Sequence, residues 1–356
     1  MKNILLVVMS SFLLISTVSI ASVDKQHDAE SKFLLKNEFL VANDVAFQLG
    51  GSMMLDYNHT RLNEIAKEDK FNLRYGRIYT MGGDENGWSF KAQFVLGNGE
   101  SGRPKDVYIT YGGWGEVAKL TLGKQKVEFG LEEITSLNNN TTLERSAITK
   151  QYAVGHQKAI KVHGALSNTV YSLLVFEDNH KNINNIGYSG RVIYLPIKND
   201  DMLVHVGVGY VQRSSEYQVK GLELAANVGP FHIQSEYFEE EQLDAAGLDA
   251  TGNGYYIQAG YILTGETRLY SQGRFGRIKP SNSNGAWEIF ARIEAGDGNY
   301  SNIELGQVDA LAYTVGANWY VANHIKLGMN YYGGNSNEAG SHDQGKEFRV
   351  RLQLTY

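Results

Sequence analysis

The sequence predicts an all-β fold, a transmembrane antiparallel β-barrel of about 16 strands with a long constriction loop. Two observations lead to this prediction. Apolar and polar residues alternate with a period of two along most of the chain, which gives each strand one apolar and one polar face. The alternating runs are about 9 to 11 residues long, the length that a tilted strand needs to cross a bilayer. Strands of soluble sandwiches average only about five or six residues, so the lengths favour a membrane barrel.

Composition and the end of the chain agree with this fold. The 356 residues include 22 Tyr, 14 Phe and 39 Gly, but only 4 Pro and no Cys, which suits many strands joined by turns. Tyr and Trp cluster at strand ends, as an interfacial girdle requires. The last ten residues alternate strictly and stop on the aromatic Tyr356. This ending resembles the terminal strand that the barrel-assembly machinery recognises during biogenesis.

The first residues are typical of a targeting segment. Lys2 precedes an apolar run from Ile4 to Ile15, and Ser19-Ile20-Ala21 resembles a cleavage site, so residues 1–21 are predicted to be a signal peptide. A retained membrane anchor is the alternative, although the run is short for a spanning helix. Residues 22–43 form an N-terminal segment of unassigned conformation, and residues 44–356 are predicted to be the barrel. Export of such a barrel predicts the outer membrane of a Gram-negative bacterium, with lipid around its apolar face.

Several connections are predicted to be long. Gly123 to Gly155 is the third external loop by strand parity, and Leu263 to Gly285 falls on the periplasmic side. Each exceeds an ordinary loop, and each is expected to fold into the lumen and narrow it, with a flexible surface loop as the alternative. The polar segments around 239–253, 294–308 and 332–346 are predicted to be long external loops.

The polar strand faces are expected to line a water-filled pore, because a barrel this wide cannot fill its interior with side chains. By parity the wall carries nine cations: Arg74, Lys91, Lys119, Lys161, Arg191, Arg292, Lys326, Arg349 and Arg351. The acids assigned to the same face are only Glu223, Glu236 and Glu288. This excess predicts a preference for anions. For any single cation, an ion pair with a nearby carboxylate is the alternative.

The two long connections add further charges. The periplasmic one carries Arg268, Arg274, Arg277 and Lys279 against Glu266. The external one carries the cations Lys124, Lys126, Arg145 and Lys150 and the acids Glu128, Glu132, Glu133 and Glu144. Its sign is therefore not decided by counting.

Signatures of catalysis do not occur in the sequence. It has no GxSxG, HExxH or GxxxxGK motif and no cysteine metal site, and its nine histidines lack ligand spacing. No enzyme activity, cofactor or metal is therefore expected, and the formal net charge of −6 argues against a nucleic-acid partner. A barrel hydrolase with a spatially assembled Ser–His pair is a distant alternative. A structural or surface-interaction barrel without conductance is a nearer one.

Several stretches resemble one family, the phosphate-selective porins O and P. They are Arg77–Gly83, Leu120–Lys126, Phe129–Glu133, Leu143–Ser146, Gly190–Pro196, Leu263–Arg268 and Gly285–Arg292. The resemblance implies a homotrimer of sixteen-stranded barrels that passes small inorganic anions, with phosphate as a candidate and a general non-selective porin as the alternative. It also implies that both long connections enter the pore.

The same resemblance assigns residues to the pore. It implies that Lys124, Lys126 and Arg145 lie on the constriction loop and that Arg191 lies on a lumen strand. Where the family commonly has proline, this chain has Glu128. An acid at that position is expected to weaken the binding of a phosphate dianion.

Overall fold

A computed structural model describes residues 40–42, 45–63, 66–97, 102–178, 185–199, 201–214, 217–243, 249–300, 306–338 and 341–356. The predicted signal peptide and most of the segment 22–43 lie outside these residues, so both stay predictions. Within the described part of the chain, no helix is long and apolar enough to cross a membrane.

The chain divides into two units, Met1–Gln48 and Leu49–Tyr356. In the first unit, the short strand β1 (Leu40–Ala42) pairs antiparallel with the beginning of β2 (Val45–Leu62). The second unit contains the barrel.

Over the described residues, sixteen strands form one closed antiparallel sheet in which neighbours in sequence pair with each other. They are β2, β3 (Ala66–Gly83), β4 (Trp88–Leu96), β5 (Pro104–Tyr111), β6 (Lys119–Lys126), β7 (His156–Leu166), β8 (Thr169–Asp178), β9 (Asn185–Lys198), β10 (Met202–Ser214), β11 (Tyr217–Val228), β12 (Phe231–Leu243), β13 (Asp249–Ile262), β16 (Ala286–Tyr300), β17 (Gly306–Ala322), β18 (Ile325–Glu338) and β19 (Ser341–Thr355). Pairing of β19 with β2, which sets Val350 opposite Tyr57, closes the ring. The predicted strand number is confirmed.

The two faces of the sheet have opposite polarity. Apolar side chains such as Leu173 and Val208 point outward and are more than half exposed, whereas Arg351 and Glu288 on the inner face are buried. A soluble protein would have the reverse arrangement. Apolar residues outward and polar residues inward suit a barrel that has lipid outside and water inside. The parity on which the pore lining was predicted is therefore present in the structure.

The outer halves of the strands differ from the prediction. In the segments expected as long external loops, the described residues are strand, because pairing continues to Leu243 opposite Asp249, Tyr300 opposite Gly306 and Glu338 opposite Ser341. Residues 244–248, 301–305 and 339–340 of these segments lie outside the described part of the chain. Strands accordingly reach 18 residues in β2. The loop prediction was wrong because backbone pairing does not need an apolar face. Where both faces meet water the ladder continues without apolar alternation.

The connection between β6 and β7, residues 127–155, folds into the barrel and is called the constriction loop below. It contains α1 (Leu131–Ile134), a 3-10 turn (Leu137–Asn139) and α2 (Ala147–Tyr152). Phe129 packs on Phe238 of β12 with ring centroids 5.5 Å apart, in a buried apolar cluster that includes Ile148 of α2. The loop is therefore held against the wall that lies across the lumen from its own strands.

The connection between β13 and β16, residues 263–285, enters from the opposite end and is called the periplasmic insert. Its hairpin of β14 (Tyr270–Ser271) and β15 (Arg274–Phe275) turns at Gln272 and Gly273, which both have positive φ. Phe275 is buried in a cluster with Leu131 of the constriction loop. Both long connections therefore enter the barrel, as predicted, and they touch inside it.

Close packing of α2 on the wall requires glycine on the strands beneath it. A Cβ added to Gly296 would lie 2.8 Å from Ile148 Cδ1 and 2.9 Å from a backbone oxygen. We expect Gly296→Ala to push α2 off the wall and to lower stability by about 1–3 kcal/mol, the usual cost of overpacking. The measurement is the temperature at which the folded band disappears in semi-native electrophoresis.

Gly345→Ala is the matched control for this prediction. Gly345 is also a strand glycine, but its added Cβ would meet nothing within 4 Å. The packing argument fails if the two variants melt at the same temperature.

Candidate functional site

Glu144 of the constriction loop is surrounded by wall arginines. Arg74 Nε and Nη2 donate to its two carboxylate oxygens at 2.9 Å each, and Arg349 and Arg351 each donate to Oε1 at 2.7 Å. Lys150 lies 3.4 Å away. Burial alone would raise the pKa of Glu144, but Arg74, Arg351 and Lys150 outweigh burial and hold the pKa well below its usual range. The loop is thus tied to the wall by a carboxylate that stays ionised.

Arg351 also joins the first and last barrel strands. It forms a two-pronged pair with Asp56 of β2 at 2.7 Å for both contacts, and it donates to the Leu143 carbonyl of the loop. Asp56 stands directly opposite Arg351 in the ladder. The sequence-based count of inward acids omitted Asp56, although Asp56 has the parity of the polar face of β2. Arg351 therefore links the first and last barrel strands to each other and to the constriction loop.

Two further predicted wall cations support the loop backbone. Arg292 donates to Glu132 Oε1 at 3.1 Å and to Thr142 Oγ1 at 2.8 Å. Lys326 is buried and donates to the Asn140 carbonyl at 2.9 Å. On the same wall, the Glu236 carboxylate accepts from the backbone N–H groups of Leu131 and Glu132 at the start of α1. These contacts satisfy polar loop groups that would otherwise be buried without a partner.

Arg191 holds the periplasmic insert. Its guanidinium forms a two-pronged pair with Glu223, at 2.8 and 2.7 Å, and donates to the Gly273 carbonyl at 2.9 Å. Tyr270 of the insert forms a hydrogen bond with His205, which in turn forms one with Glu223. The family resemblance implies that Arg191 lies on a lumen strand. In the structure it does so, and its charge is paired with Glu223.

Of the four insert cations, two contact other protein groups and two are exposed to solvent. Arg268 stacks on Phe275 and donates to the Asn139 carbonyl, and burial lowers its pKa. Arg277 donates to Thr355 Oγ1 at 2.8 Å, and burial lowers its pKa as well. Arg274 and Lys279 are exposed. Arg274 lines a cavity that also contains the wall cations Lys119, Lys161 and Arg191.

The remaining wall cations are also paired. Lys91 contacts Asp106 at 2.5 Å, Lys119 contacts Glu116 at 2.6 Å and Lys161 contacts Glu128 at 3.1 Å. The alternative stated for single cations, an ion pair, therefore holds for eight of the nine, and Lys326 binds a carbonyl instead. The predicted excess of positive charge on the wall was too large because inward acids such as Asp56 and Asp106 had not been counted.

Positive charge is instead concentrated in a cavity of about 350 Å³, called the upper cavity, between the constriction loop and strands β3, β5 and β6. Among the described residues, its lining includes eight cations: Arg74, Arg77, Arg103, Lys105, Lys124, Lys126, Arg145 and Lys150. Only two carboxylates, Glu133 and Glu144, line it with them. Sequence reasoning missed Arg77, Arg103 and Lys105. Arg103 and Lys105 flank Pro104 at the beginning of β5, where the alternation is too short to assign a face.

The three residues predicted for the constriction differ in their surroundings. Lys126 donates to the Glu133 carbonyl at 2.6 Å, and Arg145 donates to the carbonyls of Glu132, Glu133 and Thr135. Burial would raise the pKa of Glu133, but Lys126 and Arg145 lower it below its usual value. Lys124 lines the upper cavity, and its side chain forms no hydrogen bond or ion pair with any described residue.

Arg77 is a cation of the upper cavity whose guanidinium is only partly engaged. It lies 3.8 Å from the Tyr75 ring centroid and forms no ion pair with a described carboxylate. Its Nε is buried without a hydrogen-bond partner in the described part of the chain. A guanidinium in this state can offer its donors to an incoming anion.

A smaller cavity of about 60 Å³, called the lower cavity, lies between strands β6 to β9 and the periplasmic insert. Its cations are Lys119, Lys161, Arg191 and Arg274, and its carboxylates are Glu116 and Glu128. Strand β6 contributes Lys119 to this cavity and Lys126 to the upper one. These two positions are about 23 Å apart at the usual rise per strand residue.

The fold and its inner surface define a class of protein. A closed barrel of sixteen strands with an apolar outside, a polar inside and a loop folded into its lumen is an outer-membrane porin. A family model described as phosphate-selective porin O and P matches residues 47–218 and 211–356, so the chain belongs to that family. Membership implies a channel rather than an enzyme.

Individual relatives are more distant. Porin O of Pseudomonas aeruginosa is 26% identical, with 88% of this chain and 89% of the relative covered. Solved structures with the same fold include OmpT of Vibrio cholerae, with a TM-score of 0.63, 10% identity and coverage of 90% of this chain and 100% of that one. An anion-selective porin from Comamonas acidovorans has a TM-score of 0.59 and 13% identity, over 88% and 100% of the two chains. At these identities the structures show the fold alone.

The anchoring role of Glu144 can be tested with Glu144→Gln. Three wall arginines would lose their shared carboxylate, and breaking a buried ion pair costs about 3–5 kcal/mol. We expect a lower melting temperature and larger fluctuations of the open-channel current, because the loop would no longer be held. Glu116→Gln, which removes a carboxylate that is mostly exposed, is the control. Equal melting temperatures and equal current noise would contradict the anchoring role.

Proposed function

We propose that the chain is a passive channel for small inorganic anions, phosphate among them, and that its selectivity arises in the upper cavity. The observation that carries the proposal is the excess of eight cations over two carboxylates there. Fixed charge in a narrow wet passage raises the local concentration of ions of opposite sign. Movement down a gradient needs neither a cofactor nor an energy source.

Both cavities contribute to the proposed route. The proposed route passes through the upper cavity beside the constriction loop. It then follows the wall of β6 toward the lower cavity and the periplasmic insert. Conduction requires sites that attract an ion without retaining it. Lysine and arginine side chains already engaged with carboxylates suit this requirement, because they offer an anion only part of their charge.

Phosphate is favoured among small anions for two reasons. The family is described as phosphate-selective, and the P. aeruginosa relative is named Porin O. Guanidinium groups also donate parallel hydrogen bonds that fit phosphate oxygens, and Arg77 provides such a group in the upper cavity.

The assembly follows from the same resemblance. We infer a homotrimer in outer-membrane lipid, inserted after the barrel-assembly machinery has bound the C-terminal strand. One of the solved neighbours is the trimer form of V. cholerae OmpT, with a TM-score of 0.58. The oligomer mass of the detergent-solubilised protein, measured by light scattering, tests this inference.

The second candidate is a general porin with little selectivity. It is favoured by the ion pairs along the wall, which neutralise most of the cations there. The two candidates differ in the sign and size of the reversal potential, whereas a surface-interaction barrel without a channel would show no conductance.

The deciding experiment is a planar-bilayer recording across a chloride gradient, before and after addition of inorganic phosphate. We expect a reversal potential on the anion side and a reduction of chloride current by phosphate. An anion potential without any effect of phosphate would leave an anion channel with no phosphate preference. A reversal potential near zero would favour the general porin.

Arg77→Gln is the first variant to record. Arg77 forms no ion pair with a described carboxylate, so its loss should weaken phosphate inhibition about fivefold, the effect of about 1 kcal/mol. Arg77→Lys keeps the charge but loses the planar donor pair. Its phosphate inhibition should therefore lie between that of the unmodified protein and that of Arg77→Gln. Lys158→Gln is the control, because that cation is exposed and paired with Glu177. If the control and Arg77→Gln change inhibition equally, the upper cavity is not the site.

A further inference from the structure

Glu128 is directed into the lower cavity by the residues on both sides of it. The chain leaves β6 at Lys126 and turns into the lumen, and the Val127 N–H donates to the Gly155 carbonyl at 2.8 Å. Val127 and Phe129 are both buried in the apolar cluster that holds the constriction loop. The Phe129 N–H donates to the Val127 carbonyl at 2.9 Å, so Glu128 is the middle residue of a tight turn whose two flanking side chains both enter this cluster. It therefore reaches the cavity that Lys161 also lines.

Three cations surround the Glu128 carboxylate. Oε1 lies 3.1 Å from Lys161 Nζ, Oε2 lies 3.8 Å from Arg191 Nη1, and Arg274 of the insert lines the same cavity. Burial would raise the pKa of Glu128, but Lys161, Arg274 and Arg191 outweigh burial and hold the pKa at about 2. The carboxylate therefore remains an anion at neutral pH. It occupies the position in which these cations would bind a free anion.

The charges around the lower cavity nearly balance. Four cations line it, namely Lys119, Lys161, Arg191 and Arg274. Three carboxylates oppose them: Glu116 on Lys119, Glu223 on Arg191, and Glu128. One positive charge therefore remains. Without Glu128, two would remain. A site with one net charge can neutralise a monoanion but not a dianion.

We propose that Glu128 is a tethered counter-anion that makes the lower cavity accept monoanions, such as chloride and dihydrogen phosphate, and exclude dianions. The proposal rests on the anion channel proposed above. A monoanion can share Lys161 and Arg274 with the carboxylate. A dianion brings a second charge that the cavity has no free cation to balance, and it meets the repulsion of Glu128 at short range.

The experiment uses sulfate, which remains a dianion across the useful pH range, and measures its inhibition of chloride current through the full-length protein in a planar bilayer. Glu128→Gln keeps the size of the side chain and removes the charge, so we expect sulfate to inhibit at about tenfold lower concentration. Nitrate, a monoanion, should change by much less. Lys161→Gln removes one positive charge from the lower cavity and should therefore weaken sulfate inhibition.

Two variants separate charge from structure. Glu128→Asp keeps the carboxylate and should resemble the unmodified protein. Glu177→Gln removes a carboxylate from the exposed pair with Lys158, which is outside the lumen, and should have no effect. If Glu128→Gln conducts anions and sulfate inhibition is unchanged, or if Lys161→Gln strengthens inhibition, the proposal is wrong. A cation-selective unmodified protein would instead contradict the anion channel itself.

Discussion

The constriction of this barrel depends on one carboxylate. Glu144 brings Arg74 of β3 and Arg349 and Arg351 of β19 to a single point of the loop. Without it, Arg74 would lose its carboxylate, Arg349 and Arg351 would keep only their pairs with Asp56 and Glu347, and the loop would lose this attachment. Burying charge is costly unless it is paired, so this network gives the loop one position with a strong energetic preference. The shapes of both cavities follow from that position.

The fold could be predicted from the sequence because the bilayer imposes its pattern on every strand. Strand number, the apolar outer face and the two inward connections all followed from period-two alternation and connection length. The external strand extensions could not be predicted in this way. Near Leu243 and Asp249 both faces of the paired strands meet water, so the sequence there shows no apolar alternation that would indicate a strand. Apolar alternation marks only the part of a strand that faces lipid, whereas backbone hydrogen bonding can continue beyond that part.

The functional surface was less predictable, because parity says which way a side chain points and not what it meets. Arg351 and Asp56 are 295 residues apart in sequence and meet only when the barrel closes. The predicted wall cations are therefore largely structural, and the excess of cations over carboxylates lies where strands β3, β5 and β6 meet the constriction loop, around residues such as Arg77. No local motif marks that convergence. Glu128 is an acid where the family commonly has proline, but its cationic surroundings arise only where Lys161, Arg191 and the insert meet in space.

The attachment of the constriction loop also orders the folding of the chain. Its anchors on Arg349 and Arg351 belong to the last strand, whereas the loop itself precedes that strand by about two hundred residues. Contacts so distant in sequence form late, because a long segment must be ordered first. The passage can therefore narrow to its final width only after the C-terminal strand has paired with β2. A barrel that stalls before this step would leave its loop unanchored, so the finished constriction is a mark of complete assembly.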